Sequence, residues 1–424
     1  MRCIPPLGVL LVIPLLINEF GSSPANILKK KTSPSDSGDS AMSITTDEDH
    51  AGWTFGDSAS GSDEEEEWTN RPFTVDDFPR VSYDRGEQTY RIYANPDFLL
   101  RGPAPLSLFR AYNDPLVDKE RDWFCEEYEL HDESEITVND VGINDCSNSC
   151  DRSTMVLVQF FDLKIVGYHH TQPGPAKIFG FFAARDRIKP LRNYVYKREI
   201  DNYEAVAVNR KMGTARLSLG SPARGINMTD HVLFEFKLCI RIEGQPDEGP
   251  KEELLIEGCT ELSNMFRPSF VETQRLYGEK CGLDLKFAVL NSAVQAKIDV
   301  EIVYAPACGL ILNLYAKTSG FGNIIRLFRG RSKAGGRFSS VVGVLIDSYL
   351  DVCVEGSSRE GLCQRSPQDG CGLDQKLPCY TWTGRFDACY RGTVVEKVKF
   401  DKFTTISVKV TWSMVDEEWR IRYA

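Results

Sequence analysis

The segment HVLFEFKLCIRI, residues 231–242, indicates the fold of this chain most directly. From Val232 onward every second residue is apolar, and Glu235, Lys237 and Arg241 lie between these apolar positions. Successive side chains of a β-strand point to opposite faces, so this alternation is typical of an antiparallel strand with one buried face. The segment therefore predicts a sheet that covers a hydrophobic core.

Period-two alternation or a dense apolar run recurs through most of the chain. It predicts strands at residues 155–167, 177–185, 283–289, 294–302, 310–315, 324–328, 341–345 and 406–414. The alternation is interrupted after Val289, and Asn291-Ser292 in the gap predicts a hairpin turn. Residues 115–130 carry the best helical pattern. Together these segments predict a mainly β fold, an antiparallel β-sandwich with one or two short helices.

Composition predicts four parts. Residues 1–25 resemble a secretory signal peptide, although three prolines interrupt the apolar run. Residues 26–70 are rich in Ser, Asp and Glu and predict a disordered acidic arm. Residues 71–154 form a lead-in segment that contains the predicted helix, and residues 155–424 form the β-sandwich domain with a cysteine-containing insertion at 355–392.

The net charge of -11 comes from one part of the chain. Residues 32–70 contain eleven Asp and Glu and no Lys or Arg, whereas the rest of the chain has equal numbers of acidic and basic residues. The overall charge balance therefore favours neither nucleic acid nor a membrane as a partner.

Three motifs identify a resemblance. They are IFGFFAARD at 178–186, PLRNYVYKR at 190–198 and SPARGI at 221–226, followed by the alternating strand. In this order they resemble a plant family, expanded in grasses, that is known as a domain of unknown function. The likeness covers about residues 109–354 and a final strand at 406–414. Members of that family occur alone or fused to ribosome-inactivating N-glycosidase domains. Because no activity or site is established for the domain itself, the resemblance implies a fold and no catalytic residue.

The segment SGFGNIIRLFRGRSKAGGR, residues 319–337, is a local excess of positive charge. Its basic residues are Arg326, Arg329, Arg331, Lys333 and Arg337. They could hold a phosphate, an RNA backbone or an acidic partner, including the chain's own acidic residues 63–67. The alternative interpretation is a solvated hairpin tip.

The chemical modification expected at the cysteines and at one sequon depends on the cellular compartment. Cys353, Cys363, Cys371, Cys379 and Cys389 precede the last strand and are candidates for disulfides if the protein is secreted. In an intracellular protein they would remain thiols. Asn227-Met228-Thr229 is a glycosylation sequon, which has meaning for a secreted chain. We interpret the protein as cytoplasmic, with secretion as the alternative.

Motifs for catalysis and metal binding are missing from the sequence. The chain has no C-x-x-C, no G-x-S-x-G and no Walker A spacing, and His169 and His170 would point to opposite faces of a strand. Glu272-x-x-Arg275 and Glu417-x-x-Arg420 match the spacing of N-glycosidase sites, but their surroundings do not. We therefore expect no metal and no cofactor.

These observations predict a non-enzymatic binding or interaction module that acts on an unknown protein or ligand, with a role in plant defence. Nucleic acid is a less favoured partner, and no transmembrane segment is predicted. The alternative function is a ribosome-inactivating rRNA N-glycosidase or an accessory partner of one.

Overall fold

The structure is a computed structural model. It describes residues 80–84, 89–93, 103–106, 108–109, 128, 130, 132–137, 154–228, 231–243, 249–263, 268–358 and 379–414. The possible signal peptide, the acidic arm, most of the predicted helix 115–130 and the pair Glu417 and Arg420 lie outside these residues. Within them, no helix is both long enough and apolar enough to cross a membrane.

The described residues form strands and a single 3-10 turn at Ile200–Asn202. The strands are β1 Arg80–Asp84, β2 Thr89–Tyr93, β3 Ala104–Pro105, β4 Leu108–Phe109, β5 Met155–Val166, β6 Ala176–Asp186, β7 Asn193–Arg198, β8 Glu204–Val206, β9 Ala215–Leu217, β10 Ile226–Asn227, β11 His231–Ile242, β12 Lys251–Ser263, β13 Phe270–Tyr277, β14 Gly282–Tyr304, β15 Leu310–Thr318, β16 Phe321–Ser332, β17 Arg337–Leu345, β18 Tyr349–Ser358, β19 Cys379–Asp387, β20 Gly392–Lys399 and β21 Thr405–Ser413. All paired strands are antiparallel except β3 with β13. The mainly β, antiparallel prediction is confirmed.

The strands form three sheets around two main cores. The first sheet has the order β1-β2-β4-β12-β11-β6-β7, with β8 beside β6. The second contains β3, β5, β9, β10, β13, β14, β17, β20 and β21, and the third has the order β16-β15-β18-β19. One core lies between the first sheet and the early part of the second, and the other lies between the late part of the second sheet and the third. The described strands therefore pack as two sandwiches that share the second sheet.

The predicted hairpin at Asn291-Ser292 is wrong, because β14 runs through it as one strand of 23 residues. The register with β5 shifts between Leu290 and Ala293, which is a β-bulge. Ser292 has a left-handed φ of 60°, and its carbonyl accepts a hydrogen bond from the Ile346 amide at 2.9 Å. A bulge adds one residue to a strand and reverses the phase of alternation. The interrupted pattern therefore marked a bulge rather than a turn.

The predicted strand at residues 231–242 is β11, which lies between β6 and β12. Its Phe234 packs edge to face on Phe160 of β5 at 5.1 Å between ring centroids, and Phe182 of β6 adjoins both rings. Gly180 of β6 has φ +112°, and a Cβ there would lie 2.1 Å from the Lys237 carbonyl oxygen. The glycine of the IFGFFAARD motif is thus needed for β6 and β11 to approach each other.

Arg185, in the same motif, is fully buried and joins Asp132 to the first sheet. Its guanidinium donates to the backbone carbonyls of Asp132 at 2.8 Å and Pro190 at 2.7 Å, and to Glu235 at 2.9 Å. Glu235 also accepts from Arg192 at 3.0 Å. Because each buried charge has a partner, the motif arginines stabilise the fold.

Asp186 points to the other face of β6 and fixes the SPARGI loop. Its carboxylate is 2 % exposed and pairs with Arg224, whose Nη1 donates at 2.7 Å. The backbone amide of Asn227 donates to the same carboxylate at 2.8 Å, and Asn193 binds both Ala223 N and Arg224 O. The loop 221–226 therefore has one fixed position.

We expect Asp186→Asn to lower the free energy of unfolding by about 3–5 kcal/mol, because it leaves the Arg224 charge buried without its counter-charge. Urea denaturation of the purified protein measures this. Glu253→Gln is the matched control, since Glu253 forms an exposed ion pair with Lys280 at 2.8 Å. Its effect should stay within about 1 kcal/mol. Equal effects of the two changes would contradict the assigned role of Asp186.

The bulge in β14 gives a second test of the fold. Ser292→Gly should raise the free energy of unfolding by roughly 0.5–1 kcal/mol, because glycine adopts a positive φ without steric cost. Ser292→Val should lower it by about 1 kcal/mol or more, because a β-branched residue is strained there. If thermal unfolding shows Val to be tolerated as well as Gly, residue 292 does not have the left-handed conformation.

Candidate functional site

A cleft of about 490 Å³ lies where the two sandwiches meet. One side is formed by β5, the end of β7 and the loop 217–226, and the other by β16 and β17. Ligand sites in proteins have volumes of about 300–1,000 Å³, so the cleft is large enough to hold part of a ligand.

Side-chain oxygens fix the walls of the cleft against each other. Ser221 Oγ, in the SPARGI loop, accepts from the Val341 amide of β17 at 2.6 Å. Gln295 Oε1, on β14, accepts from the Gly225 amide at 2.8 Å. Gln159 Oε1, on β5, accepts from the Gly343 amide at 2.9 Å. These three hydrogen bonds join β5 and the loop 221–226 to β14 and β17, so the walls of the cleft are held in position by the fold.

The basic residues of β16 share one face because of a second bulge. In the register with β15, Tyr315 faces Arg326 while the preceding Leu314 faces Phe328, so Leu327 is the extra residue. Strict alternation from the sequence would place Arg326 opposite to Arg329. With the bulge, Arg326, Arg329 and Arg331 are all exposed, whereas Leu327 and Phe328 pack on the second core.

The five predicted basic residues separate in the structure. Arg326 and Arg329 line the cleft, and Arg331 follows them along β16. Lys333 lies in the turn after β16. Arg337 begins β17 and donates to Glu301 at 2.9 and 3.1 Å. Among the described residues, Arg326, Arg329 and Arg331 form no ion pair, so their charges are available to a ligand.

A carboxylate on the far side of β15 hydrogen-bonds to neutral side chains rather than to these arginines. Glu355, on β18, accepts from Tyr315 Oη at 2.7 Å and from Asn313 Nδ2 at 2.9 Å. The hydrogen bond to Glu355, followed by burial, raises the pKa of Tyr315. Tyr315 and Asn313 are the β15 residues opposite Arg326 and Arg329. The two residues therefore hold Glu355 on the far side of β15 from the basic strand.

Sequence reasoning missed Arg198, the last residue of β7, which lines the same cleft. Within the described part of the chain it forms no ion pair. Its neighbour Lys197 donates to Glu135 at 2.7 Å, and Asp162 on the cleft wall pairs with Arg216 at 3.0 Å. In the sequence, the one indication of Arg198 was its place as the last residue of the PLRNYVYKR motif. Its proximity to β16 depends on tertiary structure.

The described residues that line the cleft include no histidine and no cysteine. Among the serines of the lining, the Ser221 hydroxyl donates to the Pro222 carbonyl at 3.0 Å instead of to a base. Nucleophilic catalysis needs a nucleophile beside a general base. The described lining thus offers charged and hydrogen-bonding groups.

Glu272 and Arg275 do not converge on a common site. Both lie on β13, and three residues apart along a strand they point to opposite faces. The Arg275 guanidinium is buried and pairs with Asp284, with Nη2 at 3.0 Å from Oδ2. His169 and His170 follow β5, and the His170 ring nitrogen lies 3.1 Å from the Gly174 carbonyl oxygen. No described group of three His, Cys, Asp or Glu residues could hold a metal ion.

Three of the five predicted cysteines and the asparagine of the sequon lie within the described residues. Cys353 is a buried thiol on β18, Cys389 is a partly exposed thiol after β19, and Cys379 begins β19. Cys363 and Cys371 lie outside the described residues. Asn227, on β10, is 4 % exposed, a position that disfavours a glycan on the folded chain. Disulfide formation and glycosylation remain predictions.

Comparisons with solved structures give weak matches. Human GIVD cytosolic phospholipase A2 is 10% identical, with a TM-score of 0.20, over 62% of this chain and 33% of that one. The paired C2 domains of extended synaptotagmin 2 are 8% identical, with a TM-score of 0.19, over 65% of this chain and 97% of that one. This chain thus spans about a third of the phospholipase. At such similarity these matches indicate no activity or ligand.

No curated protein matches the sequence. A family described as a domain of unknown function, DUF6598, matches residues 157–410. This range includes the three sequence motifs and every described residue that lines the cleft. The expected link to grasses and the fusion to N-glycosidase domains remain implications of the resemblance. Because the match covers more than half of the chain, the protein belongs to the DUF6598 family, a domain of unknown function.

Proposed function

We propose that this protein is a non-enzymatic binding module whose cleft holds an extended acidic segment of a partner protein. The observation that carries the proposal is the meeting of Arg198, Arg326 and Arg329 at one cleft without a carboxylate partner among the described residues. Guanidinium groups bind carboxylates through charge-assisted, often bidentate hydrogen bonds. Three such arginines from two parts of the chain thus favour an anionic ligand.

The shape of the cleft favours an extended peptide. β16 is an edge strand of its sheet, with β15 as its one partner in that sheet. Five consecutive residues of it, Ile325–Arg329, line the cleft, as expected of a strand that presents its backbone edge. A peptide can add to such an edge through main-chain hydrogen bonds, while side-chain pockets give specificity. An acidic peptide would therefore form main-chain hydrogen bonds with the edge of β16 and ion pairs with the arginines.

A binding role agrees better with the cleft than an enzymatic one. Asp162 is paired with Arg216, and Ser221 Oγ accepts from Val341 and donates to Pro222. Asp162 is the one carboxylate among the described residues of the lining, and it is held by Arg216. The N-glycosidase alternative receives no support from Glu272 and Arg275, which lie apart from the cleft lining.

We expect Arg326→Ser with Arg329→Ser to weaken binding of a fluorescein-labelled glutamate decamer about tenfold or more, because two charge-assisted contacts are lost. Fluorescence anisotropy at low and physiological salt measures the dissociation constant, and binding should weaken as salt rises. Arg385→Ser is the matched control. Arg385 lies on β19 of the same sheet and pairs with Asp351 at 2.8 and 2.9 Å, so its loss should leave peptide binding unchanged.

A single-stranded RNA decamer serves as the competing ligand in the same assay. Tighter binding of RNA than of the peptide, with the same dependence on Arg326 and Arg329, would replace the acidic peptide by nucleic acid. Equal peptide binding by the double variant and the wild-type protein would reject the cleft as the site.

A further inference from the structure

One end of the second sandwich brings three chain segments together. They are the end of β14 at Tyr304, the turn after β16 at Lys333, and the turn 400–404 between β20 and β21. Tyr304 lies opposite Thr405 in the register with β21. The turn after β16 is joined to β14 by hydrogen bonds between Gly335 N and Ile302 O at 2.8 Å and between Ile302 N and Gly336 O at 2.9 Å. We call Tyr304, Lys333, Lys399, Lys402 and Phe403 the end surface.

The end surface exposes two aromatic rings. Tyr304 is 64% exposed and Phe403 is 58% exposed, the highest values among the large hydrophobic residues described. A bulge between Ile302 and Tyr304 separates Tyr304 from the buried alternation of β14. Two exposed rings on neighbouring segments distinguish this end from surfaces where apolar residues are scattered singly.

The turn that carries Phe403 is fixed rather than loose. Asp401 Oδ1 accepts from the Phe403 amide at 2.8 Å, and Asp401 Oδ2 accepts from the Tyr380 hydroxyl. The Phe400 amide donates to the Thr404 carbonyl at 3.0 Å, and Thr404 is fully buried. The ring of Phe403 is therefore held outward by its own turn, so that binding would need little ordering of the chain.

The cations of the end surface are available to a partner. Lys333, Lys399 and Lys402 are exposed, and none forms an ion pair with another described residue. Of the nearby carboxylates, Glu301 is paired with Arg337, whereas Asp401 accepts from two neutral donors and keeps its charge, so three lysines face one uncompensated carboxylate. The end surface thus combines positive charge with projecting aromatic rings.

We propose that the end surface docks on an anionic lipid bilayer. Aromatic side chains are favoured at the depth of the lipid headgroups, where one part of the ring is apolar and the surroundings are wet. Each Lys near a negatively charged leaflet gains about 1 kcal/mol. The rings stand at strand ends and turns whose backbone is hydrogen-bonded, so they enter the headgroup layer while the sheets remain in water. This site is separate from the acidic-peptide cleft.

Co-sedimentation of the full chain with vesicles of about 30 % phosphatidylserine in phosphatidylcholine tests the proposal. The wild-type protein should bind these vesicles and bind pure phosphatidylcholine at least tenfold more weakly. Lys399→Glu with Lys402→Glu should reduce the partition coefficient about tenfold or more, because two surface charges change from positive to negative. Tyr304→Ser with Phe403→Ser should reduce it by a similar factor at constant salt, and circular dichroism should show that both variants keep the β spectrum.

Two control variants make the test specific. Met212→Ser removes another exposed apolar side chain, 44% exposed and outside the end surface, and should bind vesicles as the wild-type protein does. Arg326→Ser with Arg329→Ser changes the cleft and should also leave vesicle binding intact. Equal binding to both kinds of vesicle, or equal loss in the Met212 variant, would overturn the proposal.

Discussion

The 23 residues of β14 are hydrogen-bonded to neighbours on both sides, β13 and β5 in the first half and β17 and β21 in the second. The first half contributes Leu283, Leu285 and Phe287 to one core, and the second contributes Ile298 and Ile302 to the other. A strand that enters two cores cannot move in one of them without disturbing the other. The fixed meeting of the two sandwiches, and with it the cleft, depends on this strand and its bulge.

Charged residues have two distinct roles in this protein. The Arg185–Glu235–Arg192 and Asp186–Arg224 groups are buried and paired, and they hold segments that would otherwise cover the sheets loosely. The cost of leaving a buried charge unpaired explains why such residues come in sets. Within the described chain the arginines of β16 have no such partner, and this contrast distinguishes the binding surface from the scaffold.

The bulges explain where reading the sequence succeeded and where it failed. Alternation identified β11, β21 and the two halves of β14 separately, because every second residue is buried in each of them. At Ser292 the same alternation predicted a turn, and at Leu327 it would have divided the arginines between two faces. One extra residue in a strand reverses the faces of all the residues that follow. A sequence shows the reversal, but it does not show whether the chain turns back or continues.

The sequence by itself determined the β class, the positions of most long strands and the basic character of residues 326–331, because each is encoded in local order along the chain. Tertiary structure decided the rest. It divided the sheets between two cores, brought Arg198 to β16, paired Arg337 with Glu301 and set Phe403 and Tyr304 at a common end. These outcomes depend on contacts between residues far apart in sequence, which arise when strand registers and sheet packing are fixed together.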